Sequence, residues 1–265
     1  MFTREITVQP SDAGCLGTIK LRSLLNYFQD TAGVAVQDIE GTTAELVARG
    51  YAWVLTRYEV EFIGQLPAID ETFTLSTFHD PKHGYNTLRV FQASMNGRPF
   101  VWAKTQWLLL DLAAGRPVKA AAHIPEIASK DTQDIPPEFR DIPDYEDIDT
   151  VKEVTRTVGF HDLDYNGHVN NAAYFEWVHD ATPLEFSKYE VRSICASFRS
   201  GAKFGENVRL RIAERPEELT YCYELLRDGV AKPSARFLCT WGAREQGLGI
   251  REQGLGIREQ EASYA

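Results

Sequence analysis

The feature that most constrains this 265-residue chain is an internal repeat. The stretch "TVQPSDAGCLGTIKLRSLLNYFQDTAG" begins at Thr7, and "TVGFHDLDYNGHVNNAAYFEWVHDATP" begins at Thr157. Both open with Thr-Val, carry an aspartate five residues on (Asp12, Asp162) and pass a glycine. Both then enter an apolar stretch containing Tyr-Phe, at Tyr27-Phe28 and at Tyr174-Phe175. Identity is thin, so order and pattern carry the repeat.

The segments C-terminal to the two copies also match. After the first come "YAWVLTRYEVEF", "ETFTLSTFH", "YNTLRVFQASMNG" and "RPFVWAKTQWLLLD"; after the second come "VRSICASFRS", "ENVRLRIAE", "ELTYCYELLRDG" and "KPSARFLCTWG". Alternation with period two and enrichment in β-branched and aromatic residues predict strands. "MNGR" (95–98) and "RDGV" (227–230) stand at equivalent places as Asn-Gly and Asp-Gly hairpin turns. Each half is therefore expected to be a helix followed by an antiparallel meander, which places the chain in the α+β class. The second helix, about 170–182, is apolar on nearly every side through Ala172, Ala173, Tyr174, Phe175, Trp177, Val178 and Ala181. Such a helix has to be buried. A curled antiparallel sheet wrapped around it would do so, and two such units can pair edge to edge and remove exposed strand edges.

The expected domain plan is a first unit over 1–122, a connector over 123–150, a second unit over 151–243 and a tail over 244–265. The connector is rich in Pro and Asp and reads as a surface segment kept solvated by its acidity. The tail holds two copies of Arg-Glu-Gln-Gly-Leu-Gly-Ile, whose paired glycines disfavour a helix.

Composition removes several alternatives. An apolar content of 43% with abundant Phe and Trp supports a sizeable core rather than disorder. A net charge of −10 argues against nucleic acid and against anionic membranes as partners. "MFTREITVQP" lacks the apolar core of a signal peptide, and no run of apolar residues is long enough to span a membrane. Cys15, Cys195, Cys222 and Cys239 form no C-x-x-C pair, and Cys195 and Cys239 lie in alternating apolar stretches as reduced core thiols do. A cytoplasmic location is expected. His161 and His168 have no third ligand at a suitable spacing, so neither metal nor cofactor is expected.

One segment is unusually polar: "GFHDLDYNGHVNNAAYFEW", residues 159–177, sets Asp162, Asp164, Asn166 and His168 at alternate positions just before the helix. Two readings compete. Asn170 or Asn171 can serve simply as an N-cap, and Asp164 and Asn166 can form a turn beside Gly167. Alternatively the segment is catalytic. A histidine with an ordinary pKa of ~6.5 can exchange a proton near neutrality, a carboxylate can fix its tautomer, and an asparagine can donate to an oxyanion. Backbone N–H groups at the helix start add donors and the positive end of the helix dipole. The first copy carries an aspartate but no Asn-x-His, which suggests one working site and one retired site.

With this layout the sequence resembles the acyl-acyl carrier protein thioesterases, tandem double-hotdog proteins of plant plastids and bacteria. The motif D-L-D-x-N-x-H-V-N-N-x-x-Y stands here at 162–174, and "LRSLLNYFQDTAG", "WVLTRYEVEF" and "PLEFSKYEVRSICASFR" resemble family segments in the same order. The resemblance implies two tandem hotdog domains, each an antiparallel sheet around a central helix. It also implies hydrolysis of fatty acyl thioesters on acyl carrier protein, without a cofactor, and a first domain that holds the acyl chain. Its catalytic residues map to Asp164, Asn166 and His168. A family segment like Y-R-R-E-C corresponds to "FRSGA", so Gly201 stands at the glutamate and Ala202 at the cysteine. That leaves the water-activating carboxylate open; Asp162 is the reserve, with Glu176 and Glu206 behind it.

Carrier proteins are themselves acidic, so docking on this acidic chain calls for a local basic patch. Lys152, Arg156, Lys188, Arg192, Arg199 and Lys203 flank the second helix and are the candidates. An acyl-CoA thioesterase, a hotdog hydratase or dehydratase, and a non-catalytic acyl-thioester sensor stand as alternatives, and a homodimer is left open.

Overall fold

The alternating runs form strands, and in the computed structural model, which describes residues 1–128, 132–143, 150–215 and 218–244, those strands join into one sheet. The first half comprises β1 (Phe2–Thr7), α1 (Leu21–Glu40), α2 (Thr43–Ala48), β2 (Tyr51–Phe62), β3 (Thr72–His83), β4 (Asn86–Met95), β5 (Arg98–Asp111), β6 (Arg116–Val118) and α3 (Ala120–His123). The second comprises β7 (Thr150–Thr157), α4 (Asn171–Ala181), β8 (Tyr189–Phe198), β9 (Asn207–Arg215), β10 (Thr220–Arg227) and β11 (Ala235–Ala243). Strand order is β1-β3-β4-β5-β2-β8-β11-β10-β9-β7, with β6 beside β5. The halves meet where β2 pairs antiparallel with β8, from Arg57 opposite Ser197 to Glu61 opposite Ser193. That seam removes two edges. The outer edges, β1 and β7, carry Arg4, Glu5, Lys152, Glu153 and Arg156, charges that oppose pairing with a further chain.

The turn before each helix is built from the same hydrogen bonds. Asp12 N–H donates to Gln9 C=O, Gly14 to Thr18, Gly17 to Gly14 and Lys20 to Asp12. In the second half Asp162 donates to Gly159, Asp164 to His168, Gly167 to Asp164 and Asn170 to Asp162. The offset is a constant 150 residues, so His168 has Thr18 as its counterpart and Trp177 has Tyr27. The Tyr-Phe letters common to the two helices are therefore out of register, and Leu24 stands where Tyr174 does. Buried helix positions demand bulk more than one particular ring, so the letters drifted while the packing held.

Both helices feed one core. Arg22 reaches Glu176 and Gln29 approaches Asn170, so α1 and α4 run antiparallel across each other. Phe28 of α1 stacks on Phe91 of β4 at 5.0 Å between centroids. Phe175 of α4 meets Tyr58 of β2 at 5.2 Å and Phe237 of β11 at 5.1 Å, both edge-on. All seven apolar residues expected to bury α4 are buried.

Two expectations change. Asn96 and Gly97 both have positive φ and close the tight β4–β5 hairpin, but after "RDGV" the chain pairs again only at Ala235, opposite Leu225. The Asp-Gly signal makes a local turn there without setting the strand register. The connector is also more than a solvated spacer. Ile135 is buried against Leu88 and Val90, and Phe139 lies under the cations of Arg57 and Lys104. Arg140 binds Glu59 and Glu61 of β2 and reaches Ser193 of β8, so residues 132–143 strap the outer face of the sheet. The repeated tail from 245 onward lies outside the described residues.

Candidate active site

The polar motif folds as a short 3-10 turn, Phe160–Asp162, followed by the turn that leads into α4. Gly167 has φ +72°, a left-handed conformation that side chains resist. Asp164 closes this turn. Its Oδ1 accepts the N–H of Asn166 at 2.8 Å and of His168 at 3.3 Å, while its own N–H donates to His168 C=O at 2.7 Å. Asn170 is the N-cap of α4, its Oδ1 accepting Ala172 N–H at 2.9 Å, and Asn171 is the first helical residue.

The reserve carboxylates all have structural partners. Asp162 Oδ2 accepts Gly159 N–H at 2.8 Å, just as Asp12 Oδ2 accepts Gln9 N–H at 3.2 Å in the half without the motif. Glu206 Oε2 accepts Lys203 N–H at 3.0 Å, as Glu71 Oε2 accepts Ala68 N–H at 2.8 Å. Glu176 is ion-paired with Arg22 at 2.6 Å, and the same guanidinium donates to His161 C=O at 2.8 Å. Asp162 and Asp164 each keep one carboxylate oxygen without a partner among the described residues.

The Asn166 side chain is exposed and His168 is half-buried. His168 lies directly on the backbone of Gly201: a Cβ there would sit 2.8 Å from His168 Cβ and 3.0 Å from its Cγ and Cδ2. Gly201 C=O accepts a hydrogen bond from Arg227 at 3.0 Å, and Ala202 N–H donates to the Tyr174 hydroxyl at 2.9 Å. Burial pushes the Tyr174 phenol up to about 12, so it stays uncharged and can accept that amide. Val169 N–H donates to Ala202 C=O at 2.9 Å and ties the motif to the same segment.

Of the expected docking cations, Arg156 is paired with Asp180, Lys188 with Glu185 and Arg192 with Glu190, at 2.9, 2.6 and 3.1 Å. Lys152 donates to Ala181 C=O at the end of α4. Arg199 and Lys203 are exposed beside Gly201 and have no side-chain partner among the described residues. Exposed Phe160, Tyr165 and Phe204 lie in the same loops. The contacts of Arg22 and Arg227 join distant elements and leave no spacing signal in the sequence. Tyr174 stands in the motif, where its pattern is that of a core residue. Among the described residues no group of three His, Cys, Asp or Glu is placed to hold a metal, and no helix is long and apolar enough to cross a membrane.

An antiparallel sheet curled around a central helix, formed twice and joined along one seam, is the tandem double-hotdog fold. Residues 1–128 match the acyl-ACP thioesterase N-terminal domain and residues 145–241 the C-terminal domain, and the chain belongs to the acyl-ACP thioesterase family. It is 24% identical over 211 residues to the chloroplastic palmitoyl-acyl carrier protein thioesterase of Cuphea hookeriana, covering 74% of this chain and 50% of that protein. A protein of the same description from Arabidopsis thaliana is 22% identical over 229 residues, 75% of this chain and 52% of that one. The chain thus spans about half the length of the curated relatives it matches. An acyl-ACP thioesterase from Bacteroides thetaiotaomicron has the same fold, with TM-score 0.76, 22% identity and coverage of 91% of this chain and 97% of that one. The 12:0-ACP thioesterase from Umbellularia californica superposes with TM-score 0.74 at 17% identity, covering 92% and 97%.

Proposed function

We propose that this protein hydrolyses fatty acyl thioesters carried on acyl carrier protein. The observation that carries this is the asymmetry of two equivalent turns in a chain of this family. One backbone scaffold presents Gly14, Leu16 and Thr18 in the first half and Asp164, Asn166 and His168 in the second.

His168 takes a proton from the attacking water and returns it to the departing thiolate. The Asn166 amide is the donor for the oxyanion of the tetrahedral intermediate, since Asn170 already takes the N–H groups of Ala172 and Ala173 at the start of α4. Asp164 holds the backbone at 166 and 168, and its second oxygen, or that of Asp162, is the carboxylate for the imidazole. The first half takes the acyl chain, where each buried methylene contributes ~0.8 kcal/mol. Arg199 and Lys203 are the cations best placed to meet an acidic carrier, because Arg156, Lys188 and Arg192 already have ion-pair partners. Four free cysteines, three of them buried, fit a reducing compartment such as the cytoplasm.

A thiol-release assay on saturated acyl-acyl carrier proteins and the matching acyl-CoAs tests this. His168→Ala should lose ~10²–10⁴-fold in kcat, and Asn166→Ala should also fall. Comparing Asp164→Ala with Asp162→Ala identifies the working carboxylate. Wild-type protein that releases no thiol from any of these substrates would end the proposal, and faster turnover of acyl-CoA would reassign the substrate.

A further inference from the structure

The two halves are built on one scaffold, so the positions at which their chemistry diverges can be compared directly. Around His168 four divergences converge. Its own counterpart is Thr18, and that of Tyr174 is Leu24. Ile19 N–H donates to Pro67 C=O as Val169 N–H donates to Ala202 C=O, and Glu71 caps Ala68 as Glu206 caps Lys203. Leu66 is therefore the counterpart of Gly201. Met95 precedes the Asn96-Gly97 turn as Arg227 precedes Asp228-Gly229. A small hydroxyl, two leucines and a methionine in one half become an imidazole, a phenol, a glycine and a guanidinium in the other.

We infer that Gly201, Arg227 and Tyr174 are positioning residues that seat the His168 imidazole; this rests on the proposed role of His168 in hydrolysis. Gly201 acts by having no side chain, because any Cβ would lie 2.8 Å from His168 Cβ, closer than such atoms approach. Its φ is not in the left-handed region, and the three atoms nearest to such a Cβ all belong to His168: its own Cβ and the ring carbons Cδ2 and Cγ. Arg227 and Tyr174 fix the seat from below. The guanidinium holds Gly201 C=O at 3.0 Å and reaches Glu206 at 3.4 Å, while the phenol oxygen holds Ala202 N–H at 2.9 Å. Both ends of the 201–206 turn are thereby tied to the end of β10, and the seat cannot shift without breaking these bonds. In consequence, any side chain at position 201 of this chain requires His168 to give way from its present place.

Two measurements on the full chain test the seat. Thiol release from the best wild-type acyl-acyl carrier protein substrate should fall about 10- to 100-fold in kcat for Gly201→Ala and Arg227→Met, because the reacting group is displaced; KM should stay within about twofold for Gly201→Ala, which keeps the Arg227 bonds that hold the turn bearing Lys203. Arg227→Lys, which keeps a donor for Gly201 C=O, should recover most of the loss. The second measurement needs no activity. Gly201→Ala should lower the melting temperature by about 2–4 °C in wild type and not in a His168→Gly background, where the obstructing atoms are gone. An equal lowering in both backgrounds, or full kcat in Gly201→Ala while His168→Ala is inactive, overturns the inference and leaves the proposed function standing. Full activity of His168→Ala would instead end the proposed role of His168 while leaving hydrolysis itself standing, with the melting comparison still deciding whether Gly201 packs against His168.

Discussion

Arg140→Ala tests whether the segment after the first half is a strap across the seam. Arg140 Nε lies 2.6 Å from Glu59 Oε1, and the rest of the guanidinium engages Glu61 and Ser193. Glu59 is 9% exposed, and without Arg140 its nearest cation is Lys104 at 3.8 Å. Removing one partner of a buried pair costs ~3–5 kcal/mol, whereas fully exposed pairs contribute ~0–1 kcal/mol. Arg140 is 41% exposed, so water can enter and solvate the stranded carboxylate, which moves the expectation down to about 2 kcal/mol. Urea denaturation of Arg140→Ala, Glu59→Gln and the double variant measures it. The double variant should be more stable than the sum of the single losses implies, by about 1 kcal/mol, because each single change removes the same contact. A loss below about 0.5 kcal/mol for Arg140→Ala, or strict additivity, would refute the strap and restore the solvated spacer.

Buried polar groups give two further expected outcomes. His179 stacks on Phe186 at 4.3 Å, and burial holds its pKa below the usual histidine value, with Arg244 adding to the depression and Asp180 opposing it. The neutral ring is the form the fold accepts, so this stability is complete above the unfolded pKa of ~6.5 and is lost as pH falls through the folded value. His179→Phe keeps the stack and removes the titration. Its melting temperature should gain on wild type between about pH 7 and about pH 5, and a pH-independent difference would contradict the assignment. Tyr58→Phe removes a buried hydroxyl that has no partner among the described residues. An unsatisfied buried polar atom costs ~1–3 kcal/mol, so the variant should match or exceed wild type in urea; a loss of more than about 1 kcal/mol would show that the hydroxyl is bonded.

Much of the scaffold was legible because it is periodic. Strand alternation placed β2 and β5 to the residue, and the apolar circumference of α4 identified it as buried before any partner was known. Where two signals could not be told apart by local pattern, the letters misled. Tyr27 and Tyr174 share a dipeptide yet not a position, and "RDGV" turns without closing a two-residue hairpin. Both errors concern register, which is settled by long-range pairing and not by the residues of a turn alone.

The sequence established the elements and the polar loading of one turn, because helix caps, Asx turns and strand alternation arise from residues a few places apart. Asp164 could be recognised as a turn former beside Gly167, and Asn170 as a cap, on that ground. The sheet order and the contacts across it needed the folded chain. Gly201 reads as an absent glutamate in the sequence, and only packing shows that the His168 side chain crowds the space its Cβ would take. Arg227 and Arg140 look like ordinary surface cations until β10 brings one beneath Gly201 and the connector brings the other over β2 and β8. Such contacts join residues 26 and 81 positions apart, and spacing carries no information at that range because the partner is chosen by the order of the strands.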